Sequence, residues 1–98
     1  MNIKTISEIS VPIFKRNGVK SAYIFGSFAR GDQTDESDID FLIEYAPQAK
    51  KSLLVRARII NELKDALQRD VDVATENSLL PSIRRNVLNE RSVIYEAE

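Results

Sequence analysis

The sequence predicts an α+β fold: a small mixed sheet of three or four strands with helices packed mainly on one face. Three observations carry that expectation. Short runs rich in apolar and aromatic residues read as strands. Longer stretches between them place apolar residues at helical spacing. Glycine and proline fall at the boundaries, where they stop one element and allow the next. With 98 residues, a single domain over residues 1–98 is the expected organisation.

The elements follow in order. Ile6, Ile9, Ile13 and Phe14 recur at helical spacing, and Gly18 is a stop signal for that first helix. Pro12 interrupts it, so either the helix kinks there or its regular part begins there. Residues 19–25 form a first strand bounded by Gly18 and Gly26, with a short helical turn expected at residues 27–30. Residues 38–45 form a second strand that Pro47 ends. Leu53, Ala57, Ile60, Leu63 and Leu67 mark the apolar face of a long helix, with Arg58, Asn61, Glu62, Asp65 and Gln68 opposite. Residues 71–74 are a third strand, residues 79–88 a short helix with Pro81 in its first turn, and residues 93–95 a closing edge strand. Helices lying on a small sheet bury the apolar faces of both.

Composition excludes several chemistries. The chain is 43% hydrophobic and 30% charged, as soluble globular domains are. No apolar run approaches the ~20 residues needed to cross a bilayer, and the N-terminus lacks the basic-then-apolar pattern of a signal peptide. Cysteine is absent, so no disulfide or thiol chemistry is available, and a cytoplasmic location is expected. Histidine is absent too, which removes a Ser-His-Asp triad, a histidine base and histidine-based zinc sites. What remains is carboxylate, hydroxyl, Lys, Arg and Tyr chemistry, and all-carboxylate sites favour hard cations such as Mg²⁺ or Mn²⁺. The net charge of −1 supplies no field for nucleic acid, so direct binding to it is not expected. Residues 32–44 hold six acids and no base (Asp32, Asp35, Glu36, Asp38, Asp40, Glu44), and Lys50, Lys51, Arg56 and Arg58 follow. A solvated acidic loop beside a basic helix face accounts for the flanking charges.

Asp38 and Asp40 call for more. Alternate side chains on a strand share a face, so these two carboxylates sit on one side with Cα atoms roughly 6.6 Å apart. Ile39 and Phe41 then face the core. Paired carboxylates near an apolar sheet repel each other and lose solvation, and a divalent cation converts that cost into attraction. The competing reading is a solvated strand end whose acids cap a helix or pair with Arg30. Upstream, Gly26 can let the backbone approach a ligand closely, and a turn opening at Ser27 can turn amide N–H groups and its hydroxyl toward phosphate oxygens; the plainer alternative is a simple turn. The spacing gives the pair its value: strand, Gly-Ser, eleven positions from Ser27 to Asp38, then Asp-x-Asp at the start of a strand. Asp70-Val-Asp72 repeats the same-face arithmetic. Asp70 reads as a turn residue; Asp72 lies within the third strand and can join Asp38 and Asp40. Three acids could hold two Mg²⁺ ions that stabilise both oxygens of an in-line displacement at phosphorus, and the third acid could accept the nucleophile's proton.

Gly26-Ser-Phe-Ala-Arg-Gly31 followed by Ser37-Asp-Ile-Asp40 resembles the minimal nucleotidyltransferase (MNT) domain of the DNA polymerase β-like superfamily. The pattern there is G-S-x-A-R-G, a short variable loop, then S-D-x-D, and this chain matches every fixed position. The resemblance spans nearly the whole chain and implies the polymerase β-like nucleotidyltransferase fold. It implies that Gly26 and Ser27, with Arg30 near them, contact the nucleotide's phosphates, that Asp38 and Asp40 hold Mg²⁺, and that Asp72 is the third carboxylate. The implied reaction transfers a nucleoside monophosphate, AMP from ATP, to an acceptor hydroxyl with release of pyrophosphate. Prokaryotic proteins of this kind often pair with a HEPN-domain toxin and transfer AMP to one of its tyrosines, so a hetero-oligomer with such a toxin is implied. A chain this small has little surface for an acceptor, and a partner is expected to complete that site. A contact-only antitoxin and transfer to a small molecule are the alternatives.

Other residues are read more plainly. Arg30 pairs with an acid of the 32–40 loop or reaches a phosphate. Ser37 caps the turn before the second strand. Phe28 stacks on a base, meets a partner or packs down. Arg84 and Arg85 are solvated or contact a phosphate or partner.

Overall fold

The computed structural model describes residues 1–49 and 52–97; Lys50 and Lys51 of the basic cluster lie outside the described residues. Helix α1 (Ile3–Arg16) starts at Asn2, whose side chain accepts a hydrogen bond from the Thr5 amide at 2.9 Å. It runs through Pro12, so its regular part does not begin there. Strand β1 (Val19–Phe25) leads through Gly26 into the one-turn helix α2 (Ser27–Arg30). After an irregular loop come β2 (Ile39–Tyr45), helix α3 (Leu53–Leu67) and β3 (Val71–Ala74). A 3₁₀ turn (Glu76–Ser78), helix α4 (Pro81–Glu90) and strand β4 (Ser92–Glu96) follow.

The four strands form one mixed sheet in the order β3-β2-β1-β4. β1 runs antiparallel to both β2 and β4, and β2 runs parallel to β3. The parallel pair requires a crossover, which α3 provides. One sheet face carries Ala22, Ile24, Ile39, Phe41, Ile43, Val71 and Val73, packed under Ile6, Ile13 and Phe14 of α1 and Ile59, Leu63 and Leu67 of α3. Phe14 meets Phe41 edge-to-face at 5.3 Å between ring centroids, an arrangement that adds to simple area burial. The opposite face is thinner: Leu42 and Ala74 pack with Leu79 and Val87, flanked by Tyr23, Phe25 and Leu88. The expectation of helices mainly on one face therefore holds for α1 and α3, while α4 covers part of the other.

One expectation is corrected. Leu53 and Ala57 do not belong to the buried stripe of α3: Leu53 is 84% exposed and Ala57 is exposed, while Ile59 is fully buried. The stripe that meets the sheet follows a strict four-residue step, Ile59, Leu63, Leu67, continued by Val55 in the first turn, and Leu53 and Ala57 lie on another side of the helix from that row. For Phe28 the structure selects one of the three readings, packing down. It is 3% exposed and packs into the main core rather than standing free in a loop.

Truncating the central ring, Phe41→Ala, is expected to cost about 3–5 kcal/mol of unfolding free energy. Urea denaturation followed by circular dichroism measures it, with the exposed Leu53→Ala as a control expected to change stability by less than about 0.5 kcal/mol.

Candidate active site

Sheet register assembles the site. Asp40 pairs with Phe25 of antiparallel β1 and with Asp72 of parallel β3. Cross-strand partners point to the same face, so the two carboxylates stand side by side on the face opposite α1 and α3. Phe25 leads directly into Gly26, which brings the Gly-Ser turn to the same end of the sheet. Gly26 adopts φ 76°, and a Cβ placed on it would lie 2.3 Å from Asp40 Oδ2. Glycine is therefore required here twice over, for its backbone conformation and for its bare Cα. The turn closes with Arg30 N–H donating to the Gly26 carbonyl at 3.0 Å and Gly31 N–H to the Ser27 carbonyl at 2.9 Å. An open cleft of about 540 Å³ lies against Gly26, Ser27, Arg30, Asp40, Asn86 and Glu90.

The electrostatics are those of a site short of positive charge. Asp40 is half-buried, and its carboxyl is pushed up to about 6, first by loss of hydration and then by the neighbouring charges of Asp72 and Asp38; Arg30 works in the opposite direction. Asp72 is ion-paired to Arg56 at 3.6 Å. Arg56 is itself anchored, donating from Nε (2.9 Å) and Nη2 (2.7 Å) to the Val73 carbonyl. Asp38 precedes β2 and is exposed, yet its charge is felt at Asp40. Among the described residues, no group of three acids is gathered closely enough to form a ready cation cage. Asp40 and Asp72 nonetheless suit a hard divalent cation: two oxygen-donor side chains adjacent across two strands, one of them destabilised by negative charge that a cation would relieve.

The remaining sequence candidates fall into place individually. Arg30 bonds Asp32 at 3.2 Å, the loop acid partner expected for it, and also reaches Glu90 at 3.4 Å. Ser37 accepts from the Thr34 amide at 2.8 Å and so caps the turn before β2. Asp70 is an exposed turn residue paired with Lys64 at 3.8 Å, outside the site. Arg84 donates to the Leu79 carbonyl at 3.1 Å, and Arg85 is exposed. Three residues escaped the sequence reading. Arg56 looked like one more charge on a helix face. Arg69 donates to the Thr34 and Ser37 carbonyls (3.3 and 3.0 Å) and lies over the Phe28 ring at 5.3 Å, tying the acidic loop to α2. Glu90 accepts from the Gly26 amide at 3.0 Å. Nothing in local spacing marks Arg69 or Glu90; for Arg56, only its position one turn into the helix that precedes Val-Asp-Val offered a hint.

A model of the family described as "nucleotidyltransferase domain" matches residues 6–94. This chain belongs to that family. The nucleotidyltransferase chain is 46% identical over 90 residues to a Methanocaldococcus jannaschii protein named "Putative protein adenylyltransferase", covering 92% of this chain and 95% of that one. It is similar to a solved structure described as a "putative minimal nucleotidyltransferase", with a TM-score of 0.78 and 32% identity over 94% of this chain and 95% of that one. It also shares its fold with a structure of a tri-AMPylated Shewanella oneidensis HEPN toxin in complex with MNT antitoxin; the TM-score is 0.72 at 19% identity, over 96% of this chain and 72% of that one.

Two outcomes are expected. Because the Asp40 carboxyl titrates near 6 when folded and near the ordinary 3.8 when unfolded, the folded state holds a proton between these values that the unfolded state has lost. Stability therefore falls as pH rises through that window. Asp40→Asn should raise stability by about 1 kcal/mol at pH 8, after allowing for solvent screening at this half-exposed group. The gain should vanish near pH 4 in thermal melts without divalent cation. Gly26→Ala should be strongly destabilising or rearrange the turn, and a melt of Gly26→Ala combined with Asp40→Gly, which removes the clash, should recover part of the loss.

Proposed function

We propose that this chain transfers AMP from ATP to a hydroxyl of a partner protein, a tyrosine of a HEPN toxin, and thereby acts as its antitoxin. The observation that carries this reading is the placement of Asp40 beside Asp72 on adjacent parallel strands, at the mouth of the Gly26 turn. The name of the M. jannaschii relative supports transfer to protein, and the Shewanella complex of the same fold supports the kind of partner.

In this reading the acceptor oxygen attacks the α-phosphorus of ATP, a P–O bond forms there, and the bond to the β-phosphate oxygen breaks to release pyrophosphate. Asp40 and Asp72, with Asp38 at the strand entrance, would hold Mg²⁺, which supplies neutralisation of charge on the attacking and leaving oxygens. Asp72 also receives the proton of the acceptor hydroxyl. Its ion pair with Arg56 keeps that carboxylate on the site face before the metal arrives. Ser27 and the amides of its turn, with Arg30, hold the phosphates that leave.

Incubating the protein with α-labelled ATP, Mg²⁺ and the HEPN protein encoded beside it should label the HEPN protein on tyrosine. Asp72→Asn should slow labelling on the order of 10²- to 10⁴-fold, and Asp38→Ala/Asp40→Ala should abolish it. Undiminished labelling by the double variant would overturn the proposal, as would its full neutralisation of the toxin without labelling.

A further inference from the structure

The register that builds the site also brings in a residue with no assigned role. β4 pairs with β1 so that Ser92 lies opposite Ile24. Two positions forward from Ile24 and two back from Ser92, Gly26 meets Glu90, the last residue of α4. The C-terminal end of α4 is thereby carried to the start of the Gly-Ser turn. The Glu90 carboxylate accepts from the Gly26 amide at 3.0 Å through Oε1, and from Arg30 Nη1 at 3.5 and 3.4 Å through both oxygens. One side chain thus grips the residue before α2 and the last residue of α2. We propose that Glu90 is a positioning residue for nucleotide binding: by holding both ends of the Gly26–Arg30 turn it fixes the turn against Asp40. This rests on the proposed function for its ligand, though not for its geometry.

The turn needs such a clamp. Helix α2 has four residues, far below the ~12–15 at which an isolated helix becomes even marginal in water. It begins at a glycine that the Asp40 carboxylate allows no Cβ, and glycine brings the largest backbone entropy to be lost on ordering. Phe28 anchors the turn on its core side and Arg69 covers that ring. On the cleft side the hold on Gly26 and Arg30 comes from Glu90. Glu90 adds, after Asp72 and Asp38, to the crowding of charge at Asp40, and Arg30 offsets it by pairing with Glu90 directly. Glu90 has a side-chain exposure of 25%, against 62% for Asp32, the other acid on Arg30. It is the better-shielded of the two partners.

Wild type, Glu90→Gln and Glu90→Ala, each as the full chain, distinguish the roles. Glutamine keeps an oxygen acceptor for the Gly26 amide and loses the charge; alanine loses both. Native-state amide exchange is read at Arg30 and Gly31, whose N–H groups bond within the turn, and at Phe41 in the core strand. ATP affinity is read by titration in the presence of Mg²⁺, and transfer to the HEPN protein gives KM and kcat. For Glu90→Ala, exchange at Arg30 and Gly31 should rise at least about tenfold with Phe41 unchanged. ATP affinity should fall on the order of 10- to 100-fold, as for other residues that orient a ligand-holding group, with KM for ATP rising more than kcat falls. Glu90→Gln should preserve turn protection and most of the affinity. Wild-type exchange in Glu90→Ala would overturn the inference, as would an equal rise at Phe41, which would mark a general loss of stability. If exchange behaves as expected while wild type transfers no AMP, the proposed function fails and the positioning of the turn by Glu90 stands.

Discussion

Much of this molecule turns on one close approach, that of the Gly26 backbone to the Asp40 carboxylate. The carboxylate occupies the space where any side chain at position 26 would begin. The two residues sit on neighbouring strands at the point where β1 ends, so the contact fixes how far the turn stands from the carboxylate row. Everything that bears on the candidate chemistry is measured from this contact. Asp72 is one strand away from Asp40, Arg30 one helical turn away from Gly26, and Glu90 one strand away on the other side. The sheet behaves as a ruler: its order β3-β2-β1-β4 lays out Asp72, Asp40 and the turn after β1 in sequence, with Glu90 at the end of α4, just before β4.

The arrangement is costly to the fold. Carboxylates crowded on a half-buried sheet face oppose folding at neutral pH, and the two guanidinium groups near them, Arg30 and Arg56, offset only part of that. The layer on the other side compensates. Ile24, Ile39, Phe41 and Val73 are essentially fully buried beneath α1 and α3, and that dense layer supplies the stability that the site face gives up. Departures from good local design gathered at one end of a sheet are what a functional site looks like energetically.

Much of this was readable from residue order. Two-residue parity turned Ile39 and Phe41 inward and Asp40 to the other face, while Asp38 lies just outside β2; β1, α2 and β3 have the expected bounds, since glycine and charge changes mark their ends. The Val-Asp-Val run supplied the third acid. What local pattern could not supply was anything set by which strand lies beside which. The side-by-side pairing of Asp40 with Asp72 depends on β3 joining β2 in parallel, and Glu90 depends on β4 joining β1, contacts separated by 32 and 64 positions in the chain. The α3 stripe was misjudged at its first turns because apolar Leu53 and Ala57 suggested a row turned away from the one that meets the sheet, Val55, Ile59, Leu63 and Leu67. For Phe28 the choice between packing down and standing free stayed open, because a loop aromatic gives no sign of whether a core lies beneath it.

The distance along the chain between Gly26 and Glu90 has a temporal side. A growing polypeptide that has emerged as far as α3 already contains the turn, both strand acids at positions 38 and 40, and most of the core-forming residues. It lacks the partner strand for the open edge of β1 and the carboxylate that grips the turn, because both arrive together in residues 90–96. Docking of β4 is therefore a single late event that closes the sheet edge and tightens the turn at once. A nascent or truncated chain stopping short of it would hold its acids in place around a slack loop. In such a molecule the sheet edge and the turn depend on the same short segment.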